Sequence, residues 1–385
     1  MNRRVALLLL AGAVFGAAAI ARGQDYTGSV LYPLSTPSGF NSANPPLQLG
    51  EHGAFAGQTI GSGFTTMGVQ SALLWNAAGS AAALGPTGYM YAEANGTDGP
   101  QQVGDAYTAS QLRSDHALLW SGTAASVVDL NPTNASLEIT DSVAYGVSGG
   151  QQVGYGWGGD GISQVANQAL LWTGSAASAV DLGPGIAYGT DGTQQVGESA
   201  NGATLWTDTA ASVVSLNPTN PSLGITGSVA YGVGGNQQVG YGFGSGTGNA
   251  DHALLWTGTA ASAVDLNPTS DGFADTFASD TNGSVQVGDG YGSATGDQDN
   301  ALAWTGSSDS FINLQTLLPA GITWEQSKAY TVDSSGNVYG IAIGMAGGVY
   351  NYYAVEWSPV PEPASASLLL IVGGAALMRR QRRLA

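Results

Sequence analysis

The sequence predicts an all-β chain folded as a β-propeller, with seven four-stranded blades set round an axis. Three features lead there: internal repeats of about 45 residues, four short strand-like runs within each repeat, and a lone strand near the front that matches one missing from the last repeat.

The repeats are anchored by tryptophan. Ala-Leu-Leu-Trp or a close variant ends at Trp75, Trp120, Trp172, Trp206, Trp256, Trp304 and, more loosely, Trp357, with gaps of 45, 52, 34, 50, 48 and 53 residues. A Gln-Val-Gly element precedes five of them, at Gln102, Gln152, Gln195, Gln238 and Gln286, and looser copies stand at 58–61 and 337–340. An Ala-Ser-Val-Val-Asp-Leu-Asn-Pro type segment follows six of the tryptophans, as at 125–132 and 261–268. Residues 130–159 match 216–245 at an offset of 86, which points to duplication of a two-repeat unit.

Within one repeat the strands fall at 142–147, 151–155, 168–172 and 178–182, with a Gly149-Gly150 turn after the first and Gly183-Pro184 after the last. β-branched, aromatic and small residues fill the runs, and Gly, Asn and Pro separate them. No segment between the two ends of the chain keeps a helical period. A unit of this size cannot bury both faces alone, so it stacks on its neighbours. Its length and strand content suit a propeller blade; a β-solenoid, the alternative, has shorter and more regular turns. The seventh repeat stops after Trp357 without its fourth strand. Residues 29–34 resemble that strand. The N-terminal strand is therefore expected to complete the last blade, which removes an open edge.

Residues 1–23 read as a secretory signal. Arg3 and Arg4 precede an apolar run, and Ala19-Ile20-Ala21 offers small residues at the positions a signal peptidase reads. An uncleaved anchor is the alternative. Residues 24–358 form the repeat domain. In 359–385, Val360-Pro361-Glu362-Pro363 leads into an apolar run at 364–378, expected as a short hydrophobic helix, and then Arg379, Arg380, Arg382 and Arg383. Such a run partitions into a bilayer and the arginines resist crossing it. Its 15 residues fall short of the about 20 that span comfortably, which suits a temporary transmembrane anchor.

That order of motif, apolar stretch and basic end resembles the PEP-CTERM sorting tail of exported bacterial proteins. The resemblance implies cleavage near Pro-Glu-Pro by an exosortase-type membrane protease, then release or transfer to the cell surface or extracellular matrix; an ordinary membrane anchor is the alternative. The repeats are similar to the HAF repeats of extracellular bacterial proteins, through His116-Ala117-Leu118-Leu119-Trp120, His252-Ala253-Leu254-Leu255-Trp256, Asp181-Leu182-Gly183 and the Gln-Val-Gly elements. Here Leu replaces the family's Phe, and Asn-Pro often follows Asp-Leu. This resemblance implies location and fold, not an activity.

Between the two end segments lie 26 acids against two bases, Arg113 and Lys328. A net charge of about −24 excludes nucleic acid, since phosphate binding needs Lys and Arg, and confines membrane contact to the tail. There is no cysteine, so packing alone supplies stability.

Candidate chemistry is sparse. Of the histidines His52, His116 and His252, the last two share a repeat position beside Asp115 and Asp251; that recurrence favours a structural hydrogen bond between strands over catalysis. Asp129, Asp181 and Asp265 are repeat equivalents suited to closing turns. No carboxylate pair stands out, and no nucleophile elbow is present, so an enzyme is not expected. The most acidic loop holds Asp289, Asp297 and Asp299. Such oxygens suit Ca²⁺, but their spacing fits neither an EF-hand nor a Ca²⁺ nonapeptide, and a solvated loop is the simpler reading. Aromatic residues are the richer resource: Trp157 and its equivalent Phe243 read as loop positions outside the core strand, preceded by Tyr155 and Tyr241, and the four are expected to line one face of the ring as flat apolar platforms for sugars. The expectation is a non-catalytic exported propeller that binds or scaffolds extracellular matrix or polysaccharide. A secreted glycosidase or lyase is the alternative. Ice binding is less favoured, because it needs a regular Thr array and Thr recurs here only once per repeat.

Overall fold

Seven antiparallel four-stranded blades follow one another along the chain, in a computed structural model that describes residues 25–40, 48–108, 114–159 and 164–360. The first strands of blades 1 to 7 are Gln48–Phe55, Tyr89–Thr97, Ile139–Ser148, Ile186–Thr190, Ile225–Gly234, Asp275–Thr281 and Thr323–Val332. In blades 1 to 6 the strands lie in chain order, and helical segments among the described residues are single 3₁₀ turns. Blade 7 is different. Its outermost strand is the N-terminal Tyr26–Pro33, antiparallel to Val349–Pro359, with Gly28 opposite Trp357 and Val30 opposite Val355. The expected completion of the last blade is present, and it begins three residues earlier than the sequence suggested.

Each part of the repeat has a packing role. All seven repeat tryptophans are fully buried, and each wedges against the blade before it. Trp172 of blade 3 packs on Val103, Ala117, Leu119 and Leu130 of blade 2. Trp206 meets Val153, Ala169, Leu171 and Leu182 in the same way. Trp75 of blade 1 packs with Tyr32 and Ala354 of blade 7. The core is thus divided among the joints between blades.

The glutamines are fully buried and join blades through their amides. In blade 4, Gln195 Oε1 accepts from the Asp208 amide at 2.8 Å, and its Nε2 donates back to Gln151 Oε1 of blade 3 at 2.8 Å. Gln238 reaches Gln194 at 3.0 Å, and Gln286 reaches Gln237 at 2.7 Å. A buried amide needs such partners, which explains the Gln-Gln pairs. The glycine of each Gln-Val-Gly sits under a carbonyl of the first strand; a Cβ at Gly197 would lie 1.9 Å from Ile186 O.

Hydroxyls and Asn-Pro asparagines make a second set of links. Ser142 Oγ accepts from the Ala117 amide of blade 2 at 3.1 Å and donates to Asn131 at 2.7 Å. Ser228 repeats this with Ala203 and Asn217.

The last joint is closed by Thr331, which donates to Ala54 O at 2.5 Å, and by Tyr32, whose hydroxyl donates to Gly57 O at 3.0 Å.

The first three strands are longer than the sequence suggested, and the fourth keeps its length but starts two residues later. In blade 3 they run Ile139–Ser148, Gln151–Gly159, Gln164–Trp172 and Val180–Pro184. Ser178 belongs to a 3₁₀ turn rather than the fourth strand, because its hydroxyl accepts from the Thr173 amide and donates to Ser175 O. Gly149 and Gly150 form the expected turn with φ of 58° and 81°. The signal segment 1–23, the helix expected at 364–378 and the sorting residues Pro361, Glu362, Pro363, Arg379, Arg380, Arg382 and Arg383 lie outside the described residues. Val360 is described, and its amide donates to Asp25 O at 2.8 Å, so the two ends of the ring meet. Among the described residues no helix is long and apolar enough to cross a membrane.

Candidate functional site

A β-bulge in the first strand builds the inner wall. Blades 2 to 7 share one register slip, between Ala94 and Gly96, Ala144 and Gly146, Ala187 and Gly189, and their equivalents, besides a second slip near the start of the strand in blades 2, 3, 5 and 7. The residue caught in the bulge is Asn95, Tyr145, Tyr188, Tyr231, Ser279 or Tyr330. A bulge re-aims its side chain. The following glycine lets neighbouring first strands touch: a Cβ on Gly189 would lie 2.2 Å from Tyr231 O of the next blade. Where blade 6 has Asp280 instead, its carboxylate accepts from the Val332 amide of blade 7 at 3.0 Å. The axis holds a cavity of about 420 Å³ to which all seven blades contribute, from Phe55 in blade 1 to Val332 in blade 7.

Beside it the bulged tyrosines join second-strand rings into a continuous lane. Trp157 stacks on Tyr155 at 5.2 Å, and Tyr155 on Tyr145 at 5.9 Å. Tyr145 meets Tyr188 at 5.3 Å, Tyr188 meets Tyr231 at 5.1 Å, and Tyr231 meets Tyr241 at 5.7 Å. Tyr241 ends against Phe277 at 5.3 Å. All seven rings are half-buried and run across blades 3 to 6.

Carboxylates alternate with these rings. The residue after each Gln-Val-Gly is Asp105, Tyr155, Glu198, Tyr241 and Asp289 in blades 2 to 6. Asp105 is buried, lies opposite Glu93 and accepts from Asn95 Nδ2 at 3.1 Å. Tyr91, stacked on Tyr107 at 5.0 Å, donates to Glu93. Tyr188 donates to Glu198 at 3.0 Å. In blade 6, Asp289 and Asp299 both hold the Lys328 ammonium, each at 3.1 Å. Burial, then the nearby Glu93 and Asp115 charges, pushes Asp105 up to about 8. Burial also raises Asp289, to about 6, with Lys328 acting against it.

The structure places the sequence candidates unevenly. Tyr155, Trp157 and Tyr241 join the lane, but Trp157 and Phe243 lie within second strands rather than loops, because the first strands start early enough to pair with them: Asp141 faces Trp157 and Gly227 faces Phe243. Phe243 lies over Gly227 instead of joining the lane and is 40% exposed. Asp289, Asp297 and Asp299 do not converge. Asp289 and Asp299 share Lys328, while Asp297 stands in an exposed turn, and no group of three candidate metal ligands occurs among the described residues. His116 and His252 bond the fourth-strand Asp129 and Asp265, each at 2.8 Å, rather than their sequence neighbours. Asp129, Asp181 and Asp265 do close turns, accepting from the amides of Asn131, Gly183 and Asn267. The sequence reading missed the bulged tyrosines and the Glu93–Asp105 pair. The Ala-Tyr-Gly triplet shared by three successive first strands was the available signal.

Asp105 makes stability depend on pH in an unusual direction. An unfolded aspartate titrates near 3.9, so between there and about 8 the folded chain holds an extra proton. Stability therefore falls as pH rises through that window. The thermal midpoint is expected to drop between about pH 6 and 8, where ordinary carboxylates no longer titrate, and Asp105→Asn should remove part of the drop. Melting curves of the two proteins across that range check this; parallel pH profiles would contradict it.

Neither a family model nor a curated protein matches the chain in sequence. Among solved structures, puromycin hydrolase aligns with a TM-score of 0.47 and 13% identity, over 86% of this chain and 55% of its own. A mutant of that enzyme complexed with PGG aligns with a TM-score of 0.49 and 12% identity, over 81% of this chain and 53% of its own. The chain spans just over half the length of these neighbours.

Proposed function

We propose that this propeller is exported, sorted to the cell surface through its C-terminal tail, and binds extracellular polysaccharide without transforming it. The unbroken lane of seven rings carries the reading. Flat apolar rings with polar edges suit the faces of pyranose sugars, and their spacing offers successive platforms to a polymer rather than one pocket to a monomer. The position of the ends supports it. Val360 leaves the ring at the end where first and second strands turn, while Trp157 lies toward the opposite end of its strand. A tail anchored in a membrane therefore leaves the lane's Trp157 end facing outward. The resemblances to PEP-CTERM and HAF proteins support the same address, with a signal peptidase and an exosortase-type protease as processing partners.

The ring, residues 25–360, is expected to bind a polysaccharide in a glycan panel, with Trp157 fluorescence reporting the contact. Trp157→Ala and Tyr241→Ala should each weaken binding about tenfold, the order expected for one stacked ring, and leave the melting temperature nearly unchanged. Equal binding by the variants, or none by any glycan, would remove the proposal.

A second reading, a secreted carbohydrate-active enzyme, has one observation on its side: Glu93 and Asp105 face each other, and Asp105 keeps its proton near neutrality, the division of roles that glycosidases use. Reducing-end release from a bound polymer, lost in Asp105→Asn, would favour it.

A further inference from the structure

The repeat contains its own precedent for what its acids hold. Asp289 follows the Gln-Val-Gly of blade 6, and Asp299 stands five residues before Trp304. Between them they clamp the ammonium of Lys328, which blade 7 sends from its first strand at the position opposite Ile341. Blade 2 has acids at the same two positions, Asp105 and Asp115, and adds Glu93 directly opposite Asp105. The residue of blade 3 that corresponds to Lys328, opposite Tyr155, is Val143. The joint between blades 2 and 3 thus repeats the carboxylate arrangement, but the following blade sends in an apolar side chain. The two aspartates differ accordingly: Asp289, beside the ammonium, stands at about 6, and Asp105 at about 8.

Aromatic rings stand next to the same acids. Tyr155 is close enough to Asp105 to feel its charge, and Trp157 stacks on it. Tyr91 donates to Glu93. Aromatic faces attract cations, most strongly where water is excluded.

We infer that the polymer taken by this wall carries free amino groups, so that an ammonium of the ligand docks against Glu93 and Asp105, Asp105 releasing its proton to solvent as it docks, while an adjacent sugar ring lies on Tyr155 and Trp157. This rests on the polysaccharide-binding reading above. It names partially or fully deacetylated amino-sugar polymers as the ligand class. Anionic polymers are disfavoured by 26 acids against two bases in the body of the chain, and a neutral polymer draws nothing from the carboxylates.

The test compares two probes on the full-length chain by calorimetry: the fully deacetylated glucosamine hexamer and the N-acetylglucosamine hexamer. The free amine form should bind about tenfold or more tightly at low salt, as a charge-assisted contact implies, and lose most of that advantage at high salt. Asp105→Asn and Glu93→Gln should erase the difference between probes, while Asp309→Asn, the same charge change at an exposed site, should preserve it. Trp157→Ala should weaken both probes. Equal binding of the two hexamers, still lost in Trp157→Ala, would overturn the ammonium inference and leave the lane intact; no binding of either would overturn both. An equal effect of Asp309→Asn would reduce the preference to bulk charge and also overturn it. If Asp105→Asn fails to fold, the comparison of probes and the salt dependence of the unaltered chain still decide.

Discussion

A chain lacking residues 26–34 is expected not to form a stable ring. The lost strand buries Tyr26 and Tyr32 and partly buries Val30 and Leu31. At about 1.5–3 kcal/mol for each fully buried large side chain, that is of the order of 5 kcal/mol, comparable with the whole stability of many domains. The loss is worse than its area. Tyr32 also bonds Gly57 O in blade 1, so the joint between the last and first blades loses its outer half. The Val349–Pro359 strand is left with a bare edge 11 residues long, a template for pairing with other chains. Chromatography and melting of the shortened chain should show aggregates and no cooperative transition. A soluble monomer that melts like the parent would contradict this.

Trp256→Ala should cost about 3–5 kcal/mol, the range for deleting a fully buried large aromatic, because the indole fills the joint formed by Val196, Ala203, Leu205 and Leu216 of blade 4. The milder Trp256→Phe separates packing from hydrogen bonding. The indole N–H of Trp256 is buried without a partner, as are those of Trp120, Trp172 and Trp304, whereas Trp357 Nε1 donates to Leu314 O at 2.8 Å. Phenylalanine should therefore be tolerated better at 256 than at 357, where it strands a buried carbonyl. Denaturant titration of Trp256→Ala, Trp256→Phe and Trp357→Phe measures both comparisons. An equal penalty for Phe at 256 and 357 would place the cost entirely in ring volume.

What the sequence discloses of this fold is what every blade must do alike. A tryptophan wedge recurs in all seven blades, and a buried glutamine with a glycine beneath a carbonyl in blades 2 to 6, so they can be counted. The strand at Tyr26–Pro33 was legible for the same reason: the seventh repeat visibly lacked its partner. The wall of the axis was legible only in part. There the positions that recur in space carry different residues in successive blades, Asp105, Tyr155, Glu198, Tyr241 and Asp289, and no periodic pattern links them. The bulge that turns Tyr145, Tyr188 and Tyr231 toward one another leaves only the short Ala-Tyr-Gly triplet as its mark, in a chain with 59 glycines. Glu93 and Asp105 are 12 residues apart in sequence and meet only because a hairpin brings them opposite each other. Trp157 and Phe243 looked equivalent, yet one stacks in the lane and the other lies over Gly227.

Closure of the ring is most directly tested by a disulfide trap. The chain has no cysteine, so Val30→Cys with Val355→Cys places two thiols and no others. The two residues face each other across the final strand pair, where opposed Cα atoms lie about 4.5–5.5 Å apart, within disulfide reach. Mild oxidation should give a fully cross-linked monomer, with shifted mobility on a non-reducing gel and no reactive thiol left. Free thiols after oxidation, or covalent dimers in place of the cross-linked monomer, would contradict a ring in which the start of the chain completes the last blade.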